Sequence, residues 1–329
     1  MPRVPAKYYE KLENKLVRCN LCPVFCKIKP DKFGICKIRK NEDGELIADA
    51  YGQLVSLAID PVEKKPLFHF CPGRPILSTG PNGCNLRCPF CQNWTISQEH
   101  VPTQYVSPED LVETARQRDS IGVAFTYTEP LIWFEYLYDC AVLLKEAGLK
   151  VVVVSNGYLN EEPAREIFKL VDAANIDLKS ASPEFYKKVC RGNLKDVLRT
   201  IHIARESGVL VELTNLLITG ENDSEADLRA VVDIVASIDR SIPFHISRYF
   251  PNYKYANAPT PITTMKRAVE IACQKLDYVY PGNYIDEADT KCPGCGHALI
   301  KREGYFVELP DGKVTNCPKC GRKVDIIWE

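Results

Sequence analysis

The chain of 329 residues has a formal net charge of only -1 and lacks a long apolar run and an apolar N-terminal segment. Its 42 basic and 43 acidic residues nearly cancel, so no broad electrostatic attraction to nucleic acid is expected. Apolar runs are short, as in the strand-like Val151 to Val154, so we expect no membrane span. The N-terminus, Met1-Pro2-Arg3, has no signal-peptide core, and a cytoplasmic location is predicted.

Cysteine is abundant instead, and most of the fifteen cysteines fall into three close groups. The groups are Cys19/Cys22/Cys26/Cys36, Cys84/Cys88/Cys91 and Cys292/Cys295/Cys317/Cys320. In a reducing cytosol, cysteines at such short spacing indicate metal ligands rather than disulfides. The other four, Cys71, Cys140, Cys190 and Cys273, are predicted to be ordinary buried thiols.

The central group has the spacing Cys-x3-Cys-x2-Cys, with Cys84, Cys88 and Cys91 in one short loop. Thiolates are the usual ligands of iron–sulfur clusters, and a four-iron cluster normally takes four of them. Three thiolates leave one iron open to a small chelating molecule. A zinc site that takes a fourth ligand from elsewhere is the alternative.

This motif, with Phe90 just before the last cysteine, resembles the signature of the radical S-adenosylmethionine (SAM) enzymes. The wider sequence is similar to the radical SAM member of the AmmeMemoRadiSam group, which is related to the pyruvate formate-lyase activating enzymes. The stretches that carry this resemblance are Asp60 to Leu67, Tyr127 to Pro130, His245 to Tyr249 and the paired C-terminal cysteines.

The resemblance implies a [4Fe-4S] cluster that reductively cleaves SAM to a 5′-deoxyadenosyl radical, under anaerobic conditions. That radical abstracts hydrogen from a substrate, which we expect to be a small molecule. A glycyl-radical-enzyme activating enzyme acting on a partner protein is one alternative, and a non-catalytic metal-binding adaptor is another. Expected partners are an electron donor such as ferredoxin or flavodoxin and proteins of the AMMECR and Memo types, with no nucleic acid and no membrane.

Strand and helix patterns alternate from about Pro75 onward, which predicts a parallel sheet with right-handed crossovers. Six such units fit an open partial (β/α)6 barrel. The predicted domains are an N-terminal cysteine-rich module (1–74), the partial barrel (75–284) and a zinc ribbon (285–329). Residues up to Leu16 are predicted to be helical, with Tyr8, Leu12 and Leu16 on one face.

Polar residues follow every predicted strand of the barrel, where the chemistry of such folds is found. The resemblance implies that Phe90 lies beside the adenine of SAM, Glu129 at its amino group and Asn156 near its ribose or carboxylate. It also implies that Asp177 and Lys179 lie near the sulfonium and carboxylate of SAM. The residues leave two structural alternatives open: Glu129 as a helix cap, and Asp177–Lys179 as an ion pair.

His245 and Arg248 follow the sixth predicted strand and are predicted to contact the substrate. The alternatives are a hydrogen-bonded core histidine and a solvated arginine.

The two outer cysteine groups are predicted to bind further metals. Four thiols at Cys19, Cys22, Cys26 and Cys36 suit zinc or an auxiliary iron–sulfur cluster, and their spacing does not decide between them. The C-terminal Cys-x2-Cys pairs, at Cys292/Cys295 and Cys317/Cys320, have the spacing of a zinc ribbon. A ferredoxin-like cluster is the alternative there, with His297 as a spare ligand.

Overall fold

A computed structural model describes residues 2–284 and 288–329, which fall into two compact units. Of the described residues, the first unit contains 2–60, 76–174 and 183–210, and the second contains 61–75, 175–182, 211–284 and 288–329. Within the described residues, no helix is both long and apolar enough to cross a bilayer. The predicted zinc-ribbon domain begins at residues 285–287, which lie outside the described residues.

The strands are two to eight residues long. In chain order they are β1 (Tyr9–Lys11), β2 (Val17–Cys19), β3 (Lys27–Ile28), β4 (Arg39–Glu42), β5 (Glu45–Ala48), β6 (Gln53–Leu54), β7 (Ser56–Pro61), β8 (Pro75–Gly80), β9 (Gln104–Tyr105), β10 (Gly122–Phe125), β11 (Lys150–Ser155), β12 (Ala173–Asp177), β13 (Leu210–Leu217), β14 (Phe244–Arg248), β15 (Val279–Gly282), β16 (Thr290–Lys291), β17 (Ala298–Glu303) and β18 (Phe306–Glu308).

The helices alternate with the later strands. They are α1 (Trp94–Gln98), α2 (Pro108–Gln117), α3 (Phe134–Glu146), α4 (Glu161–Ile167), α5 (Pro183–Phe185), α6 (Leu194–Glu206), α7 (Glu225–Ile238) and α8 (Ile262–Cys273). Short 3₁₀ turns cover Glu13–Lys15, Val62–Lys64 and Pro130–Ile132, and a π-helical turn covers Tyr186–Cys190.

In the first unit the strand order is β11-β10-β8-β7, and in the second unit it is β15-β14-β13. In the first unit β10 pairs in parallel with both β8 and β11. In the second unit β14 pairs in parallel with both β13 and β15. The predicted α/β class with a mostly parallel sheet is therefore confirmed, whereas the partial-barrel form implied by the resemblance stays a prediction.

Local sequence signals set several of the element boundaries. Ser107 caps α2 by accepting a hydrogen bond from the Asp110 N–H at 3.1 Å, and Pro108 follows at the first helical position. Ser224 caps α7 in the same way. The β4–β5 hairpin turns at Asp43-Gly44, where both residues have positive φ. A two-residue type I′ hairpin turn requires positive φ at both positions.

The predicted N-terminal helix is wrong. This segment forms β1, which pairs antiparallel with β2, followed by the short 3₁₀ turn. Tyr8, Asn14 and Lys15 have left-handed backbone conformations, with φ between 54° and 58°. Such residues interrupt a right-handed helix, and the apolar spacing that suggested one instead serves a strand and a turn.

The C-terminal cysteine segment belongs to the core of the second unit. Cys292 and Cys317 pack in one buried cluster with Phe68, Tyr280 and Ile300. The chain end also pairs with residues 69–71, since the Ile327 N–H donates to the carbonyl oxygen of His69 at 2.8 Å. The cysteine pairs are therefore packed against structure contributed by distant parts of the chain.

Candidate functional site

The loop that carries the three central cysteines runs from the end of β8 to the start of α1. Gly83, just before Cys84, has a φ of 91°, and a Cβ atom there would overlap the carbonyl oxygen of Cys36. Only glycine fits both conditions. Arg87 closes the loop on itself, because its Nη1 donates to the carbonyl oxygens of Cys84 at 2.7 Å and Leu86 at 2.8 Å.

Hydrogen-bond donors surround the sulfur atoms of this loop. The Cys84 Sγ accepts from the Leu86 N–H at 3.4 Å and from Asn156 Nδ2 at 3.5 Å. The Cys91 Sγ lies 3.3 Å from the Ser97 hydroxyl oxygen. Donors directed at sulfur are the environment that a metal-bound thiolate requires.

The charge around Cys84 favours a bound cation. Burial raises the pKa of the Cys84 thiol, and the negative charge of Glu129 raises it further. Cys88 and Cys91 also contribute to this increase in pKa. A thiolate in this position is therefore unstable by itself. A positively charged metal centre would stabilise it.

Asn156, which follows β11, uses its whole side-chain amide to hold the cysteine loop. Besides Cys84, its Nδ2 donates to Asn85 Oδ1 at 3.0 Å, and its Oδ1 accepts from the Tyr158 N–H at 2.8 Å. Asn85 in turn donates to the Tyr158 carbonyl oxygen at 2.7 Å. The structure thus brings Asn156 to the cysteine loop, where its side-chain hydrogen bonds position protein groups.

Glu129 joins the ends of β10 and β11. Its side chain is fully buried. One oxygen accepts from the Ser155 hydroxyl at 2.7 Å and the Leu131 N–H at 3.0 Å, and the other accepts from the Asn156 N–H at 2.7 Å. Glu129 therefore caps the 3₁₀ turn that follows it, as the structural alternative predicted, and it also fixes Asn156.

Phe90, predicted to lie beside the adenine, is buried in the first unit. Its ring centroid lies 6.2 Å from that of Phe185. An apolar ring in this position borders the cysteine loop, and its role towards an adenine stays a prediction.

The cysteine groups differ in how close their sulfur atoms lie to one another. Among residues 2–284 and 288–329, the C-terminal cysteines form the only group of three or more Cys, His, Asp or Glu residues whose ligand atoms all lie within 4.8 Å. At least one pair of the Cys84, Cys88 and Cys91 sulfurs is therefore more than 4.8 Å apart. Thiolates that each bind a separate iron of one cluster need not lie as close together as the ligands of a single ion.

In the C-terminal group, Cys292 Sγ lies 3.5 Å from Cys320 Sγ, and Cys295 Sγ lies 3.6 Å from Cys317 Sγ. Four sulfurs at 2.3 Å from one tetrahedral ion stand about 3.8 Å apart. These residues are arranged to bind a metal ion. His297 is exposed and does not belong to the group.

Asp177 and Lys179, at the end of β12, belong to the second unit. Lys179 Nζ lies 2.6 Å from Asp177 Oδ2, so the predicted ion pair is present. The backbone carbonyl of Lys179 accepts from Asn222 Nδ2 at 2.8 Å. The role of this pair towards SAM stays a prediction.

His245 is buried in the second unit, where its Nε2 donates to Glu212 at 2.6 Å. Glu212 also accepts from the backbone N–H groups of Phe68 and His69. Burial acts to raise the pKa of Glu212, but the hydrogen bond from His245 holds this pKa below its ordinary value. These contacts match the alternative in which His245 is a hydrogen-bonded core histidine.

Arg248 is half-buried, and its Nε donates to the Thr260 carbonyl oxygen at 2.8 Å. Its guanidinium group lies over the ring of Phe250, 4.8 Å from the centroid. Substrate contact by Arg248 stays a prediction.

We expect His245→Phe to lower the free energy of unfolding by about 3 kcal/mol, because it leaves the buried Glu212 carboxylate without its partner. His202 on α6 is exposed, so His202→Phe is the control and should change stability by less than about 0.5 kcal/mol. Urea unfolding measures both variants. An unchanged unfolding midpoint for His245→Phe would contradict the core role and favour the substrate role.

Several contacts of the site were not predicted from the sequence. Asn85 lies inside the cysteine motif, and Ser155 is the last residue of β11. Both are polar residues at strand ends or in the loop, so their position was a usable signal. Glu212 is different, because it lies inside the apolar strand β13, where only tertiary structure shows its partners.

Comparison with known proteins assigns the class. Residues 79–232 match the family model described as the Radical SAM superfamily. An uncharacterized protein of Methanocaldococcus jannaschii is 42% identical over 332 residues, covering 98% of this chain and 99% of that protein. The chain belongs to the radical SAM superfamily. It is an enzyme of that superfamily, which confirms the enzyme prediction over the adaptor alternative.

More distant relatives cover the central part of the chain. A pyruvate formate-lyase-activating enzyme of Clostridium pasteurianum is 26% identical over 167 residues, which span 47% of this chain and 67% of that protein. A solved radical SAM methyltransferase from Sphaerobacter thermophilus matches with a TM-score of 0.53 and 13% identity, over 89% of this chain and 81% of that one. That likeness concerns the fold alone.

Membership implies a [4Fe-4S] cluster and SAM as cofactors, and a need for an electron donor and a substrate. The three-cysteine loop, with one buried and two half-buried cysteines and with hydrogen-bond donors to two sulfurs, fits such a cluster.

Proposed function

We propose that Cys84, Cys88 and Cys91 hold the [4Fe-4S] cluster and that the enzyme acts on a small molecule. When bound, the cluster supplies the electron that cleaves SAM and so generates the 5′-deoxyadenosyl radical. The observation that carries the proposal is the network from Glu129 through Asn156 to the Cys84 sulfur. This network ties the ends of two neighbouring strands to the cysteine loop.

The chain's own residues have distinct tasks in this proposal. Asn156 and Asn85 would hold the loop that carries the three cluster ligands in one conformation. Phe90 excludes water from one side of the loop. Asp177 and Lys179 are assigned to the SAM sulfonium and carboxylate, by resemblance to the activating enzymes.

The small-molecule assignment rests on the parts of the chain that the activating enzymes do not match. Relatives named as activating enzymes align with about half of this chain, 47% and 48% in two cases. The relative at 42% identity instead spans almost all of it. We therefore place this chain in a separate functional group, and the AmmeMemoRadiSam group with its AMMECR-type and Memo-type partners is the assignment we propose. The cytoplasmic location and the ferredoxin or flavodoxin donor belong to the same proposal.

Glycyl-radical installation on a partner protein is the second candidate, because relatives of that name share the central part of the chain. The two candidates differ in the size of the hydrogen donor. Enzyme, SAM and reductant are incubated anaerobically with deuterated cell extract separated by molecular size, and deuterium is followed into 5′-deoxyadenosine. We expect label from the small-molecule fraction. Label from the macromolecular fraction alone, with a persistent glycyl radical signal, would overturn the proposal.

We further propose that the C-terminal cysteines bind one zinc ion that stabilises the second unit. Cys320 is exposed, so Cys320→Ser removes a ligand with little loss of packing. We expect this variant to contain one zinc fewer than the wild type and to unfold at a lower temperature. Cys273→Ser, at an exposed cysteine outside the groups, is the control. Loss of iron with zinc unchanged would instead indicate an iron–sulfur cluster.

Cys273 also corrects a prediction. The lone cysteines Cys71, Cys140 and Cys190 are buried as expected, whereas Cys273 is exposed at the last position of α8.

A further inference from the structure

The four N-terminal cysteines enclose one small cavity in the first unit. Cys19, Cys22, Cys26 and Cys36 line it together with Arg39. The remaining lining is apolar, as at Ile28 and Ile132. Three of the four cysteines are buried, and Cys26 is half-buried. Thiols that line a common, largely apolar cavity are a candidate metal site.

The four N-terminal sulfurs do not form as compact a group as the four C-terminal sulfurs. Within the described part of the chain, only the C-terminal cysteines have three or more ligand atoms inside 4.8 Å of one another. At least one pair among any three of the N-terminal sulfurs is therefore more than 4.8 Å apart, compared with about 3.8 Å between the ligands of a tetrahedral zinc ion. A cubic cluster separates its thiolates, because each binds a different iron.

Arg39 supplies an independent indication of a ligand. This residue is 1% exposed, and its Nη1 donates to both oxygens of Glu135, at 3.0 Å and 3.2 Å. Its Nη2 donates to the Lys7 carbonyl oxygen. Its Nε is buried without a hydrogen-bond partner among the described residues. A buried donor of this kind costs stability unless an acceptor is bound, and cluster sulfur is such an acceptor.

The segment that carries Cys36 also contacts the central cysteine loop. Arg87 Nη2 donates to the Ile35 carbonyl oxygen, and Lys37 Nζ donates to the Gln98 carbonyl oxygen. The Cys36 carbonyl oxygen packs against Gly83. Both cysteine groups therefore lie in one unit, and the segments that bear them touch.

We propose that Cys19, Cys22, Cys26 and Cys36 bind a second iron–sulfur cluster, to which the Arg39 Nε–H donates a hydrogen bond. A redox centre beside the central loop is suited to deliver electrons to it. That role rests on the proposed function, whereas the presence of the cluster does not.

The test uses the full chain with Cys84, Cys88 and Cys91 all replaced by alanine, reconstituted anaerobically with iron and sulfide. We expect about four irons per chain to remain, with the electron paramagnetic resonance signal of a reduced cluster. Adding Cys26→Ser to this variant should remove that iron or leave an incomplete cluster with an altered signal. Adding Cys273→Ser instead should change neither.

If the alanine variant does not fold, the iron content of the wild type is the second measurement. The wild type should bind about eight irons, four in each of two clusters. Arg39→Lys should keep the iron and lower the reduction potential of the second cluster, since a hydrogen bond to sulfur is lost. Zinc in place of iron, or about four irons in the wild type, would overturn the inference. Failure of the proposed function would instead appear as absent SAM cleavage with the iron content unchanged.

Discussion

Replacing Cys84, Cys88 and Cys91 together by alanine is expected to abolish reductive cleavage of SAM. These three thiols lie in one loop, and hydrogen-bond donors contact two of the three sulfurs. Without these ligands no iron is held with an open position, so the loss should be complete. Formation of 5′-deoxyadenosine under anaerobic conditions, with a chemical reductant, measures it.

The control is Cys140→Ala, a buried thiol on α3 in the same unit and outside the three groups. It should lose some stability through packing and keep its SAM cleavage. Zinc content of the triple variant should equal that of the wild type, because the C-terminal cysteines are untouched. Cleavage that survives in a folded triple variant would show that the cluster is bound elsewhere.

The order of strands and helices was predictable because it depends on local signals. Serine caps such as Ser107 and Ser224, and apolar strands such as β11, are encoded within a few neighbouring residues. The helix prediction for the N-terminal segment was wrong because its apolar spacing is compatible with a helix and with a strand followed by a turn. Left-handed residues such as Asn14 decide between them, and their conformation is not evident from spacing.

The candidate site divides in the same way. The three cysteines are neighbours in sequence, so their spacing indicated a metal site, and the resemblance to the radical SAM signature favoured a cluster over zinc. Glu129 and Asn156 were located because polar residues follow strands β10 and β11. Their contacts depend on how these strand ends meet the cysteine loop, about 70 residues away for Asn156 and Asn85, and no local pattern encodes that. The unpartnered Arg39 Nε is likewise a tertiary feature.

Glu129 links cluster and cofactor in the proposal, and Glu129→Gln is expected to reduce SAM cleavage by about tenfold or more. The amide replaces one carboxylate oxygen by a donor, so Glu129 can no longer accept from all of Ser155, Leu131 and Asn156. Losing a charge-assisted hydrogen bond costs about 1.5–3 kcal/mol. Asn156 then holds the Cys84 sulfur less firmly, and the charge predicted to receive the SAM amino group is gone.

Ser155→Ala is the matched control, because it removes one hydrogen bond from Glu129 and keeps the carboxylate charge. It should lower the melting temperature by an amount similar to Glu129→Gln while most of the cleavage activity remains. SAM affinity, the cluster spectrum and the melting temperature are measured for both variants. If both lose stability alike and cleave SAM equally well per folded chain, Glu129 serves the fold alone. A selective loss of SAM affinity in Glu129→Gln, with an unchanged cluster spectrum, assigns its carboxylate to the cofactor.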